Sequence, residues 1–147
     1  MTIDIRGLED IEQLSALAAL ADAEGHGMVS RLMTDWRSGV NRFDHPGEVV
    51  LVAVTPAGIV GVCGLNQDPF VSDPRVGRLR RLYVASAWRR NGIASALVGQ
   101  LLERAGLWFD AIHVRTYDPG AIAFYRSLGF GDVHGDSACT LTRKVAA

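Results

Sequence analysis

The chain has one lysine, two cysteines and no apolar run of 18 residues. Each scarcity excludes something. Two cysteines, Cys63 and Cys139, are too few for a disulfide framework, and Cys63 lies in an apolar stretch that reads as a buried, reduced thiol. The missing apolar run gives no membrane span. The first residues, Met1-Thr2-Ile3-Asp4-Ile5-Arg6, show neither the basic nor the apolar region of a signal peptide. Together these features point to the cytoplasm. Lysine is absent except for Lys144, and arginine supplies the other 14 of the 15 basic residues. With 16 acidic residues the formal net charge is −1, so the broad positive field of a nucleic-acid binder is missing.

What is present suits a globular enzyme-sized chain. The 147 residues are 48% hydrophobic and 21% charged, enough to bury a substantial core in a single domain spanning residues 1–147. Alternation over residues 2–6 predicts a first strand. Leu8, Ile11, Leu14, Leu17 and Leu20 recur at helical spacing and predict a helix over 8–23, which Gly25 and Gly27 end. A second helix is expected over 28–36 and a loop over 40–47. Strands follow at 49–54 and 59–65, joined by the turn Pro56-Ala57-Gly58, then an exposed loop over 66–74 and a strand over 77–84. A main helix over 92–105, a strand over 110–116, a helix from Asp118 and strands near 132–134 and 139–145 complete the order β-α-α-β-β-β-α-β-α-β-β. This is an α/β pattern.

The stretch with the most chemical content is Arg89-Arg90-Asn91-Gly92-Ile93-Ala94. It joins a predicted strand to a predicted helix through a glycine turn. That arrangement points unpaired backbone N–H groups, and the positive end of a helix dipole, at one spot. A Walker loop is excluded because the turn has no lysine. A dinucleotide fingerprint is excluded because no third glycine follows at the required spacing. The remaining pattern, Arg/Gln-x-x-Gly-x-Gly/Ala, fits Arg89, Gly92 and Ala94. About 30 residues on, Ala121-Ile122-Ala123-Phe124-Tyr125-Arg126-Ser127-Leu128-Gly129-Phe130 supplies a second pattern, with Asp118 as helix cap, Pro119 at the first helical position and Gly129 just past the end.

The two patterns, in this order and spacing, resemble the GNAT superfamily of N-acetyltransferases, over roughly residues 48–130. The resemblance implies a central mixed sheet with helices on both faces. It implies acetyl-CoA as co-substrate, no metal, and transfer of the acetyl group to a primary amine of a small molecule or peptide. Backbone groups of Leu82, Tyr83 and Val84 would hold the pantetheine arm and polarise the thioester carbonyl. Arg89 begins the pyrophosphate loop, and the amides of Arg90, Asn91, Gly92, Ile93 and Ala94 would bind the phosphates. Asp118 stands where relatives often have an asparagine that touches the cofactor. Tyr125 would protonate the leaving thiolate. A homodimer is compatible with this reading. So are two other functions: a non-catalytic acyl-CoA-binding module, and an acetyltransferase acting on a protein N-terminus or lysine.

One departure concerns the general base. Relatives often carry it on the strand before the loop, but residues 76–84 contain no Asp or Glu. Other candidates are Asp44, His45, Glu48, Asp68, Asp73 and His113. A water relay or capture of a neutral amine would also serve. Arg78, Arg80 and Arg81 occupy that strand instead, either as a solvated face or to bind an anion on the acceptor. His26, Trp36 and Phe43 fall in the region that covers the acceptor in this fold.

Overall fold

The computed structural model describes residues 2–136 and 138–145. Seven strands form one sheet in the order β1-β2-β3-β4-β5-β7-β6. They are β1 (Asp4–Gly7), β2 (Val49–Thr55), β3 (Gly58–Gln67), β4 (Val76–Val84), β5 (Ala111–Val114), β6 (Gly131–Asp132) and β7 (Leu141–Lys144). The helices are α1 (Ser15–Ala23), α2 (Met28–Ser38), α3 (Ile93–Ala105) and α4 (Pro119–Ser127). The expected order holds. The expected first helix is divided: Ile11–Leu14 form a 3₁₀ turn ahead of α1, started by an Asp10 side chain that accepts from the Glu12 amide at 2.9 Å. The strand expected over 110–116 is shorter, because the Val114 carbonyl takes its bond from Thr140 and the chain then leaves the sheet.

Alternation in β2 sorts the core into two layers. Leu51 and Ala53 face one way and join Ile93, Leu97, Val98 and Leu101 of α3. Val50 and Val52 face the other way and join Leu17 and Ala21 of α1 and Val29, Leu32 and Met33 of α2. Helices therefore cover both faces of the sheet. Arg126 and Gly129 close α4 with a Schellman pattern: Gly129 has φ +91°, its amide donates to Arg126, and the Phe130 amide donates to Tyr125 at 3.1 Å.

Two features of β4 position the site. It pairs with β5, in parallel, only at Val76, Gly77 and Arg78. Beyond Arg78 the β5-facing edge of β4 has no strand beside it, so the sheet opens into a wedge. On its other side β4 carries a bulge: Gly64 of β3 opposes Arg80, Val62 opposes Tyr83, and Arg81 and Leu82 together oppose Cys63. Arg81 takes φ +64° to make the extra step. The inserted residue reverses the alternation. Leu79 faces the α3 layer, yet three and five residues later Leu82 and Val84 also pack there, while Tyr83 joins the α1–α2 layer. Phe43 lies flat over this region, so close that a Cβ on Gly64 would stand 2.7 Å from its ring.

Leu97 is fully buried at the contact between α3 and the sheet. Leu97→Ala should therefore lower unfolding free energy by about 2–5 kcal/mol, as a fully enclosed leucine does when replaced by a cavity. Urea denaturation followed by far-ultraviolet circular dichroism measures it, and a loss below about 1 kcal/mol would contradict this packing.

Candidate active site

The wedge between β4 and β5 forms a cleft of about 740 Å³. Residues 78–84 of β4 line one wall. Val114, Arg115 and Thr116 after β5, with Asp118, Ala121, Phe124 and Tyr125 of the α4 segment, line the other. His26 and Met28 from the α1–α2 corner, and Arg89 and Ala94 near the start of α3, close its ends. The unpaired edge of β4 leaves backbone polar groups of Leu82 and the Val84 amide facing this space, which is what a polar chain laid along the strand would bond to. Against the expectation from sequence, the backbone groups of Tyr83 turn the other way, toward Val62 of β3, and the Val84 carbonyl accepts from Arg89.

At one end lies the turn before α3. Arg90 and Gly92 both have positive φ, +65° and +73°. The Asn91 side chain donates to the Trp88 and Arg89 carbonyls at 3.1 Å each and holds the turn in shape. The first bond of the helix is the Ala96 amide to the Gly92 carbonyl. Among the described residues, the backbone amides of residues 90–95 donate to nothing within the protein. A Cβ built on Gly92 would meet no atom within 4 Å. Six free donors at a helix N-terminus, facing open space, can hold an anion of phosphate type.

Arg89 is placed differently from its neighbours in the turn. Its guanidinium donates to both carboxylate oxygens of Glu24, at 3.0 and 2.8 Å, and to the Val84 carbonyl at 3.1 Å. It also lies over the Tyr83 ring, 5.6 Å from the centroid, and the Tyr83 hydroxyl donates to Glu24. The Arg89 and Tyr83 bonds hold the Glu24 carboxyl below its ordinary range. Burial, and then the same carboxylate, push the Tyr83 phenol up to about 12. Arg89 thus ties the loop to the end of α1. Glu24 has no sequence signal: it sits 65 residues away, just past a helix end, in no recognisable pattern.

Tyr125 is buried, with Phe124 and Phe130 in edge-on contact at 5.1 and 5.4 Å. Its hydroxyl bonds to no described residue, although the residue lines the cleft. Burial, and secondarily Cys63, push its pKa well above the ordinary phenol range, so it keeps its proton at any physiological pH. Asp118 caps α4, accepting from the Ala121 amide at 2.8 Å.

The six candidate bases lie outside this cleft. Asp68 and His113 pair at 2.8 Å, with the aspartate side chain fully buried. Asp44, His45 and Glu48 form a cluster whose polar atoms lie within 4.8 Å of one another, and Glu48 accepts from His45 and from the Gln67 amide. Asp73 accepts from the Arg75 amide in the β3–β4 loop. The titratable groups that do line the cleft are mostly cations: Arg78, Arg80, Arg81, Arg89 and Arg115, with His26 as its imidazole and Asp118 as its carboxylate. Of the residues expected over the acceptor, His26 lines the cleft, Phe43 covers Gly64, and Trp36 packs into the α1–α2 core.

Among the described residues, no helix is long and apolar enough to cross a membrane. The acetyltransferase (GNAT) family profile matches residues 11–130. In structure the chain is similar to an assigned acetyltransferase of Exiguobacterium sp. 255-15, with TM-score 0.85 and 28% identity, covering 98% of this chain and 94% of that one. It is also similar in fold to the Escherichia coli GNAT N-acetyltransferase YhbS, solved in complex with CoA, at TM-score 0.70 and 20% identity, covering 98% and 82%. An uncharacterized protein of Mycobacterium leprae is 36% identical over 78 residues, a match that spans 53% of this chain and only 21% of that protein. The split sheet, the free amides ahead of α3 and the match over most of its length make this chain a member of the GNAT acetyltransferase family, an acyltransferase.

Proposed function

We propose that the protein moves the acetyl group of acetyl-CoA to a primary amine of a small molecule or peptide, by direct transfer while both substrates are bound. The observation that carries this reading is the continuity of one cleft. It runs from the turn before α3, where Arg89 and Ala94 line it, along the open edge of β4 to the Tyr125 hydroxyl. The amides of Arg90, Asn91, Gly92, Ile93 and Ala94 suit the pyrophosphate. The Leu82 backbone and the Val84 amide suit the pantetheine amides, and a donor from that edge suits the thioester oxygen. YhbS, of the same fold, was solved with CoA bound. The Asp118 carboxylate is taken up in capping α4, so a cofactor contact from its side chain is not part of this proposal.

The chemistry then has few steps. The amine nitrogen attacks the thioester carbon, and negative charge develops on the carbonyl oxygen beside β4. The carbon–sulfur bond breaks, the thiolate takes the Tyr125 proton, and the nitrogen sheds the extra proton it carries after attack, which returns to the tyrosinate through solvent and leaves a neutral amide. The ammonium proton leaves to solvent before attack, because the one carboxylate lining the cleft among the described residues, Asp118, is taken up in capping α4.

Gly92→Glu should abolish CoA binding. The site is spatially open, but a side chain at φ +73° is strained, and the added carboxylate would repel the pyrophosphate. Calorimetry on the folded variant checks this; unchanged affinity would place the cofactor elsewhere.

Tyr125→Phe should lower kcat by about 100-fold, the low end for loss of a general acid because a thiol already leaves well, with acetyl-CoA affinity nearly unchanged. Full turnover under chemistry-limited conditions would reduce Tyr125 to a packing residue.

The pH profile follows from the same site. Across acceptors of different basicity, the ascending limb of kcat/KM should move with the pKa of the amine. Because Tyr125 is shifted upward, its proton should not be lost through the neutral and mildly alkaline range, and no descending limb should appear there. An ascending limb that stayed fixed for every amine would assign the base to a group of the protein instead.

A further inference from the structure

On the α1–α2 face of the sheet, three arginines of β4 stand together, and two are engaged. Arg78 donates to the Ala138 carbonyl at 2.7 Å and lies 3.7 Å from Asp68. Arg81 lies 3.6 Å from Asp35. Arg80 has no hydrogen bond or ion pair with any described residue, although it is partly buried. Burial and the two neighbouring guanidiniums push its pKa down to about 10, so it stays charged at neutral pH at a standing cost.

Arg80 borders two spaces. One is the large cleft. The other is a cleft of about 360 Å³ between the end of α2, the loop before β2 and the ends of β3 and β4. The wall of this second cleft holds a second unsatisfied group. Asn66, 5% exposed, has an Oδ1 that is the one buried side-chain polar atom without a partner among the described residues. Asn66 and Arg80 lie on the same face, since Gly64 opposes Arg80 and Asn66 is two residues further along β3.

Three carboxylates line the same cleft, and each is engaged: Asp35 with Arg81, Asp68 with His113 and Arg78, and Glu48 with His45 and the Gln67 amide. The unmatched charge is therefore that of Arg80. Phosphates of the cofactor do not account for it. Arg80 lies four strand residues, about 13 Å, before Val84, and the free amides begin six residues further still.

Resting on the acetyltransferase reading above, we propose that the acceptor amine carries a carboxylate, and that this carboxylate forms a forked ion pair with Arg80. The acceptor class is thus amino acids or short peptides with the acid close to the amine. A single carboxylate matches a single guanidinium. In the smaller cleft a doubly charged phosphate would meet Asp35, Glu48 and Asp68, with Arg80 the one cation there free of an ion pair among the described residues.

The test compares N-acetylated amino acids with the corresponding N-acetylated amino-acid amides, titrated by calorimetry into the CoA complex of the full chain. The acid should bind about tenfold tighter or more, as expected for one charge-assisted pair. Arg80→Gln, checked for folding by circular dichroism, should bring the ratio close to one, and Arg80→Lys should keep part of it. A ratio near one in the wild type, an undiminished ratio in Arg80→Gln, binding of neither form, or tighter binding of a phosphorylated analogue would each overturn the proposal. If Arg80→Gln does not fold, the wild-type ratio and the Arg80→Lys ratio decide. Failure of the wild type to bind CoA would sink the transferase reading itself; CoA binding without acid preference sinks only the carboxylate.

Discussion

The structure depends on a pairing that stops early. β4 and β5 run side by side for three residue pairs and then part. A parallel pair continued to Val84 would satisfy the backbone of β4 and leave no cleft. Parting requires that β5 have another partner, and β7 supplies it, matching all four residues from Ala111 to Val114. It also requires something to fill the wedge below, which α4 does with Tyr125 and its aromatic neighbours. The open edge of β4 and the placement of Tyr125 thus have the same origin. Neither would survive if β5 followed β4 to its end.

The bulge at Arg81 is the second constraint, and it separates two functions along one strand. Before the bulge, Arg78 and Arg80 face the α1–α2 layer. After it, Leu82 and Val84 face the α3 layer, and Tyr83 reaches Glu24. Without the extra residue, Leu82 and Val84 would continue on the arginine face and Tyr83 would turn into the α3 core. The network of Glu24, Tyr83 and Arg89 would not form, and the loop before α3 would lose its link to α1. Arg89 therefore acts on the turn through its shape, while the turn's own amides stay free.

The sequence made the element order and the glycine turn with its free amides legible, because both rest on local signals: apolar period, capping residues and a glycine between strand and helix. Asp118, Pro119 and Gly129 were readable one by one, and each takes the role its chemistry favours. The division of the first helix was not readable, since its apolar spacing suits a 3₁₀ turn and an α-helix alike. The bulge left no trace either. Positive φ is usually announced by glycine or asparagine, and here it falls on arginine. Glu24 matters through its contacts with Tyr83 and Arg89, and Asn66 through a buried oxygen left unpaired, neither of which a local pattern encodes. The candidate bases were chosen by residue type alone, and the sheet carries them away from the cleft: His113 and Asp68 satisfy each other, and Glu48 holds a loop.

The absence of an acid on β4 has a physical counterpart in what replaces it. An ammonium near several guanidiniums is disfavoured relative to the neutral amine, because like charge penalises the protonated form. Arg78, Arg80, Arg81 and Arg115 all line the cleft in which the acceptor would react. On the proposed reading, this surround lowers the pKa of the bound amine and raises the fraction ready to attack, without any group that accepts the proton. The same surround would expel an acceptor whose only charge is positive. A carboxylate on the acceptor offsets that repulsion, anchoring the molecule through Arg80 while the field acts on its other end. One cluster of cations can then select the acceptor and prepare its nitrogen, a combination that a carboxylate base on β4 would weaken by neutralising the charge beside it.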